Sequence, residues 1–331
     1  MTGHTRTSKH DLVIPQTMEA AALDRFGPPH VLKNRMLPVP KPGPGQVLIA
    51  VHAAGVGVWD QLMRNGSWQP QGNVPLPIVI GTDAAGTVAE IGHGVTNFSV
   101  GDRVFAWGYG GFYAEYVRVN ADAVGFMPEG LSYVQAAAAS ASGLTALQGV
   151  DDILKIRSGE SLLIMGGSGS MGTLAIQFAK HRGAHVLVTA SGAEAQHLVR
   201  SLGADVVLDA RDRNSLPHLE KLFPSGVDAA FVLGSGPTLE RYLDHVRPGG
   251  RIAYPYGAEP QPGPRPQIRV VGYNLEAGPK EMHRMTHVAS EIHLQVPIAA
   301  AYPLEDAAQA HERLEQGHIL GKIVLRTKLD V

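Results

Sequence analysis

The stretch SLLIMGGSGSMGTLAIQFAKH, residues 161–181, decides how this chain folds. Its first five residues form a short apolar run, the signature of a buried strand. Gly166, Gly167, Ser168, Gly169, Ser170, Met171 and Gly172 follow. From Met171 onward apolar residues recur at helical spacing. A strand turning through glycines into a helix leaves the first helical N–H groups unpaired, and the helix dipole adds partial positive charge there. Gly167, Gly169 and Gly172 have the spacing G-x-G-x-x-G. Such glycines allow a tight turn, close approach of backbone to a pyrophosphate, and close helix–strand packing. The spacing alone is a weak signal; its place between strand and helix makes it a dinucleotide-binding loop.

Downstream of the loop, apolar strands are expected at 185–190, 205–208, 227–233, 250–254 and 269–273, with a helix at 193–202. Strands alternating with helices predict βαβ units and a parallel sheet. With the strand at 161–165 they number six, as in a doubly wound Rossmann domain. Upstream lies an Ala-rich helix at 132–154. Before it, short strands at 46–52, 85–91, 103–107 and 114–119 are bounded by glycines and turns, which predicts a small β-barrel-like domain. Near the end an amphipathic helix at 304–316 precedes a strand at 321–325, GKIVL. The expected division is a flexible tail at 1–16, a β domain at 17–131 and 276–331, and a Rossmann domain at 132–275. A crevice between the domains is the natural ligand site.

Bulk properties narrow the field. The chain has 331 residues, 44% hydrophobic and 18% charged, with 39 glycines and 23 prolines. That length suggests about two domains of roughly 150 residues. The net charge of −2 gives no basic stripe for nucleic acid or a membrane surface. No apolar run is long enough to span a bilayer. Residues 1–16 lack the apolar centre of a signal peptide, so a cytoplasmic protein is expected. There is no cysteine, which excludes disulfides and thiolate metal sites. His283 and His287 stand four apart, but a third ligand and the Glu of an H-E-x-x-H site are missing, so they read as a solvated helix face.

The end of the second Rossmann strand bears on the cofactor. NAD-binding domains place an acidic residue there for the ribose hydroxyls. Here the segment is Thr189-Ala190-Ser191-Gly192. Without a carboxylate a 2′-phosphate is not repelled, and Ser191 offers it a hydroxyl. NADPH is therefore expected.

With these segments in view, the chain resembles the medium-chain dehydrogenase/reductase superfamily, and within it the zinc-free quinone oxidoreductases. The resemblance is carried, in order, by AGVGVWDQLMRNG (54–66), GTDAAGTVAEIG (81–92), GDRVFA (101–106), GGFYAEYV (110–117), SGLTAL (142–147), the glycine loop, LGAD (202–205), PGGRI (248–252) and GKIVL. It implies a GroES-like catalytic domain beside the Rossmann domain, and a homodimer. It also implies cofactor contacts from Thr145, from Leu233, Gly234 and Ser235, from the loop holding Tyr256, and from Lys322. The zinc-dependent relatives carry Cys, His and Glu where this chain has Gly57, Thr82 and Asp83, so no metal is expected. Without a Lewis acid, the reaction the resemblance implies is hydride addition to a small conjugated acceptor, a quinone or an α,β-unsaturated carbonyl. The substrate residues it points to are Trp59, Asp60 and Trp68. Related reductases place a tyrosine where this chain has Trp68. An indole N–H cannot release a proton, so solvent is the expected proton source. Two alternatives stay open: an enoyl reductase of a biosynthetic pathway, and a catalytically weak NADPH-binding structural or regulatory protein.

Overall fold

The computed structural model describes residues 14–68, 76–209, 211–234, 236, 238–257 and 260–330. The expected parallel sheet is present. Its six strands run in the order Val206–Leu208, His185–Thr189, Ser161–Met165, Val227–Val232, Val246–Pro255 and Arg269–Tyr273. All pairings in it are parallel. This is the doubly wound Rossmann order, in which the first strand lies at the centre and the winding reverses beside it. Ser161–Met165 is buried along its whole length, as a strand covered on both faces must be. The reversal point is where ligands bind in such sheets, and the glycine loop follows that strand.

The second sheet has seven strands. Gln46–Val56 is its backbone, pairing antiparallel with Asp83–Ile91, Tyr116–Asn120 and Lys322–Arg326. Arg103–Trp107 and Val124–Phe126 extend one side, and Ile298–Pro303 the other. The chain thus returns to its first domain after the Rossmann sheet. A three-stranded sheet of Leu32–Pro38, Thr17–Leu23 and Ile78–Val79 covers it.

The helix Tyr133–Gln148 joins the two domains. Ser132 caps it, its Oγ accepting the Gln135 N–H at 3.3 Å while Gln135 returns a bond to the Ser132 N–H. Residues 136–139 are all alanine and all buried, so neighbouring elements approach its backbone closely. Ser140 donates to the Ala106 carbonyl at 2.9 Å, and the Tyr273 hydroxyl donates to the Thr145 carbonyl at 2.7 Å. One helix therefore grips both domains and sets the width of the cleft. Its last turn, Gly149–Ile153, widens into a π-helix, which periodicity alone does not disclose.

The tail expected at 1–16 lies outside the described residues up to 13. Its last residues are already tied down: the Gln16 carbonyl accepts the Val39 N–H at 3.0 Å, and Ile14 packs against the cluster around Met18. The helix Val58–Asn65 and the strand pair Thr17–Leu23 and Leu32–Pro38 were not anticipated. Leu32–Pro38 is largely exposed, so it lacks the apolar alternation that marks a strand.

Candidate active site

Residues from both domains meet in a cleft of about 350 Å³. From the Rossmann side come Thr145, Ser170, Met171, Leu233, Tyr256 and Tyr273. From the β domain come Gly57, Trp59, Trp68, Thr82, Trp107, Tyr109 and Lys322.

The glycine loop forms the nucleotide end. Gly166 sits at φ +84°, a left-handed conformation that glycine adopts without strain. Thr189 ties the loop to the neighbouring strand: its Oγ1 accepts the Gly166 N–H at 3.0 Å and its carbonyl accepts the Gly167 N–H at 3.2 Å. The three motif glycines differ in what surrounds them. A Cβ on Gly167 would lie 1.9 Å from Val188 Cγ1, and one on Gly172 would lie 2.3 Å from the Gly166 carbonyl oxygen. One on Gly169 would meet nothing nearer than 3.6 Å. Gly167 and Gly172 thus serve helix–strand packing, whereas a Cβ at Gly169 would make only ordinary contact within the protein, at the start of the helix Ser170–His181. No side chain caps that helix, so its first N–H groups are free for an anion. Ser168 accepts the Gly321 N–H at 2.9 Å, which draws the C-terminal GK segment against the loop. The arrangement fits a dinucleotide pyrophosphate.

At the adenosine end the neutral surroundings expected for Ser191 are corrected. Its hydroxyl donates to Asp209 Oδ1 at 2.8 Å, so a carboxylate from the end of the next strand does reach this point. Arg211 comes with it. Its Nε and Nη2 each lie 3.3 Å from Asp209 oxygens, and Nη2 lies 3.7 Å from where a Gly192 Cβ would be. Arg211 first of all, and then Ser191, hold the Asp209 carboxyl well below the usual range against a modest burial cost. An acid and a base therefore stand where the sequence displayed neither. Both follow the third strand, too far along the chain from Ser191 for spacing to signal them. Gly234 backs onto Gly166 rather than lining the cleft, a Cβ there lying 3.0 Å from Gly166 Cα. Ser235 lies outside the described residues.

The acceptor end is aromatic above and charged below. The chain has three tryptophans, Trp59, Trp68 and Trp107, and all three line the cleft. Trp59 and Trp68 meet edge to face at 5.2 Å, Trp68 and Tyr109 lie 5.9 Å apart, and Tyr109 and Trp107 lie 4.7 Å apart. Trp107 and Tyr109 were missed because a strand end and its turn give no chemical signal in sequence.

Asp60 does not line the cleft, contrary to expectation. It is fully buried behind Thr82, whose hydroxyl donates to its Oδ1 at 3.1 Å, while the Gly57 N–H donates to Oδ2 at 2.7 Å. Burial first, and then the nearby Asp83 charge, push the Asp60 carboxyl up to about 7, against the opposing pull of Lys322, Gly57 and Thr82. Asp83 is equally buried and is likewise raised by burial. Its Oδ2 accepts from Ala141 N–H at 3.3 Å and faces Lys322 Nζ at 3.5 Å. Lys322 is thus held by Asp83 while still lining the cleft. Among the described residues no three His, Asp or Glu side chains come together to hold a metal ion. His283 and His287 are both exposed.

Behind Asp60 a polar chain runs outward. Arg64 is nearly sealed from solvent; its Nη1 lies 3.0 Å from His311 Nδ1 and its Nη2 meets Glu315 at 2.5 Å. His311 Nε2 lies 3.1 Å from the Tyr113 hydroxyl. Arginine can only donate, so Nδ1 accepts and the His311 proton sits on Nε2, pointing at Tyr113. Burial and then Arg64 push His311 down to about 3, so this ring is neutral.

Family models match two stretches: alcohol dehydrogenase GroES-like domain over residues 43–129, and zinc-binding dehydrogenase over 202–325. The quinone oxidoreductase of Sus scrofa is 33% identical over 322 residues, covering 93% of this chain and 97% of that protein. The chain belongs to the quinone oxidoreductase branch of the medium-chain dehydrogenase/reductases. This oxidoreductase also resembles solved structures. A crystal structure of an NAD-dependent alcohol dehydrogenase superposes with a TM-score of 0.86 at 29% identity, over 93% of this chain and 99% of the other. The Escherichia coli quinone oxidoreductase complexed with NADPH gives 0.82 at 26% identity, over 94% and 99%.

Proposed function

We propose that this oxidoreductase binds NADPH across the cleft and reduces a quinone or an α,β-unsaturated carbonyl without zinc. The observation that carries the reading is one shared cavity. Thr145, Ser170, Met171 and Leu233, at the inner end of the nucleotide loop, line the same space as Trp59, Trp68 and Trp107. In this reading residues 132–275 hold the nucleotide, and 17–131 with 276–331 hold the acceptor. When bound, the reduced nicotinamide supplies a hydride. The free N–H groups at Ser170 and Met171 take the pyrophosphate, and Gly169, with no side chain, lets it approach them. The aromatic rim stacks a flat acceptor and excludes water. Lys322, facing the cleft, stabilises negative charge developing on the acceptor oxygen.

The choice of NADPH rests on Arg211 beside Ser191, a cation that can pair with a 2′-phosphate. It agrees with the NADPH-complexed Escherichia coli relative. Zinc independence rests on Gly57, Thr82 and Asp83, which bring neither thiolate nor imidazole to the cleft. Steady-state assays with a benzoquinone, an enone, an aldehyde and an alcohol, after exhaustive chelation, test the whole reading. Turnover of the conjugated acceptors alone is the expected result. Turnover of only the aldehyde or alcohol, or activity lost on chelation and restored by zinc, would overturn it.

A further inference from the structure

A conjugated carbonyl that has accepted hydride carries the electron pair on its oxygen and still needs one proton. Thr82 is the cleft-lining hydroxyl whose oxygen lies 3.1 Å from Oδ1 of the buried Asp60 carboxyl, so that a protonated Asp60 donates to it and leaves the Thr82 proton facing the cleft. The charges around that carboxylate are unbalanced. Asp60 and Asp83 are both fully buried, and Lys322 is the ammonium set between them and the cleft. Among the described residues Asp83 Oδ1 has no hydrogen-bond partner. Arg64, the next cation outward, is engaged by Glu315 and by neutral His311. Two carboxylates sharing one ammonium in a dry site bind a proton more readily than either would alone.

We propose that Thr82 and Asp60 form a two-member relay that protonates the reduced acceptor. This rests on the hydride-transfer reading above. The Thr82 O–H bond breaks as a new O–H bond forms on the acceptor oxygen. The Asp60 O–H bond breaks as that of Thr82 is remade. The negative charge passes from the acceptor to the Asp60 carboxylate, where the Gly57 N–H bond and the nearby Lys322 charge stabilise it. After product leaves, water entering the cleft returns one proton to Asp60 through Thr82. Net consumption is one hydride and one proton per acceptor, which balances reduction of a quinone to a hydroquinone, or of an enone to an enol that tautomerises to the saturated carbonyl. The outward chain does not refill Asp60, because Arg64 does not release a proton.

Asp60 acts through Thr82, so its signature is a pH profile. The groups facing it are Asp83, Lys322 and Tyr113, with Thr82 and the Gly57 N–H. Its proton is present below about 7 and lost above. Turnover of the wild type should therefore fall as pH rises through neutrality. Asp60→Asn and Thr82→Val should each lower kcat by about 100-fold, the range of a lost general acid, and flatten that fall. NADPH binding by fluorescence should be unchanged in both.

A second readout needs no turnover. In cofactor-free wild type, infrared difference spectra should show a protonated carboxyl band near neutrality that titrates away at higher pH. Asp60→Asn should abolish the band. Thr82→Val should keep it, because its carboxyl is intact and only the bridge is gone. If Asp60→Asn fails to fold, Thr82→Val still decides, pairing a retained band with a lost rate. Wild-type rates and an unaltered pH profile in both variants would overturn the relay while leaving hydride transfer standing. A wild type that reduces no conjugated acceptor would instead overturn the reading it rests on, and the band alone would then report the stored proton. Absence of that band overturns the relay in either case.

Discussion

At the nucleotide end of the cleft the groups that meet the ligand are backbone; at the acceptor end they are side chains. The glycine loop recognises by leaving atoms out. Gly169 brings no side chain to the loop, and the N–H groups behind it are positioned by the strand–helix turn itself. The acceptor end recognises by burying what is costly to bury. Asp60 and Arg64 on one helix, Asp83 and Lys322 on two strands and His311 on a second helix are nearly sealed from water. Burying unpaired charge costs far more than it returns, so Arg64 meets Glu315 and Asp83 meets Lys322, and the carboxylate left over, Asp60, is the one pushed toward its neutral form. A backbone site of this kind is local in sequence, whereas a side-chain site is assembled by the fold.

The sharpest break of the comparison is at the loop. Gly169→Val should weaken NADPH binding by at least about 100-fold, ~2.7 kcal/mol, while the melting temperature stays near wild type. Gly172→Ala should do the reverse in character. Its Cβ would meet backbone at 2.3 Å, so the protein should melt several degrees lower. Fluorescence titration and calorimetry on the two variants separate ligand space from packing. Equal melting losses in both would mean that Gly169, too, is only a packing glycine.

The same contrast explains what could be read in advance. Ser161–Met165 was legible to the residue because a strand buried on both faces is apolar along its length, and Arg103–Trp107 and Arg269–Tyr273 because an arginine opens each short apolar run. The loop and six-stranded sheet followed from that period. Trp59 and Trp68 were reachable as pocket residues through the resemblance. The relation of Thr82 to Asp60, 22 residues apart, was not, and neither was that of Arg64 to His311, 247 apart. Such pairs depend on which strands become neighbours. Asp209 and Arg211, which meet beside Ser191, show the same limit at the nucleotide end.

Acid stability probes the side-chain end next. His311 binds its proton less tightly when folded, with about 3 against an ordinary 6.5. The unfolded chain therefore holds one more proton, and this group's contribution falls as pH drops from about 6.5 toward 3. Asp60 is the opposite case, about 7 when folded against 3.8 unfolded. Its contribution is full at low pH and falls as pH rises from 3.8 toward 7. Between about 4 and 6 the two slopes cancel, each being roughly 1.4 kcal/mol per pH unit. His311→Gln should unmask Asp60, giving stability that rises on acidification. Asp60→Asn should unmask His311, giving stability that falls. Urea midpoints across that range check both signs. Parallel curves would mean that neither group is held as its burial implies.

Arg211 tests the exception at the nucleotide end. Its side chain is 63% exposed, so solvent screens it and its effect should be moderate. Arg211→Ala should raise the Kd for NADPH about tenfold at low salt and leave that for NADH unchanged. The difference should shrink as ionic strength rises. An equal loss for both cofactors would place Arg211 as a brace for Asp209 and Ser191 rather than a phosphate partner.

The smallest effect is expected at the aromatic rim, and it shows how the two ends divide their work. Trp68 packs edge to face on Trp59 and lies against Tyr109, so its indole is held by other rings before any acceptor arrives. An aromatic contact of this kind contributes about 0.5–1.5 kcal/mol beyond its area. Truncation to alanine should therefore raise KM for a quinone by roughly fivefold, within that range. Stacking binds the acceptor before and during reaction alike, so kcat should hardly change. Trp68→Phe keeps a ring and should restore most of the loss. Asp60 and Thr82 predict the opposite split, with kcat lost and KM kept. Measuring both parameters in the three variants separates the rim that holds the acceptor from the floor that protonates it. A kcat loss in Trp68→Ala as large as in Thr82→Val would mean that the indole orients the acceptor for hydride, and that the rim belongs to the chemistry.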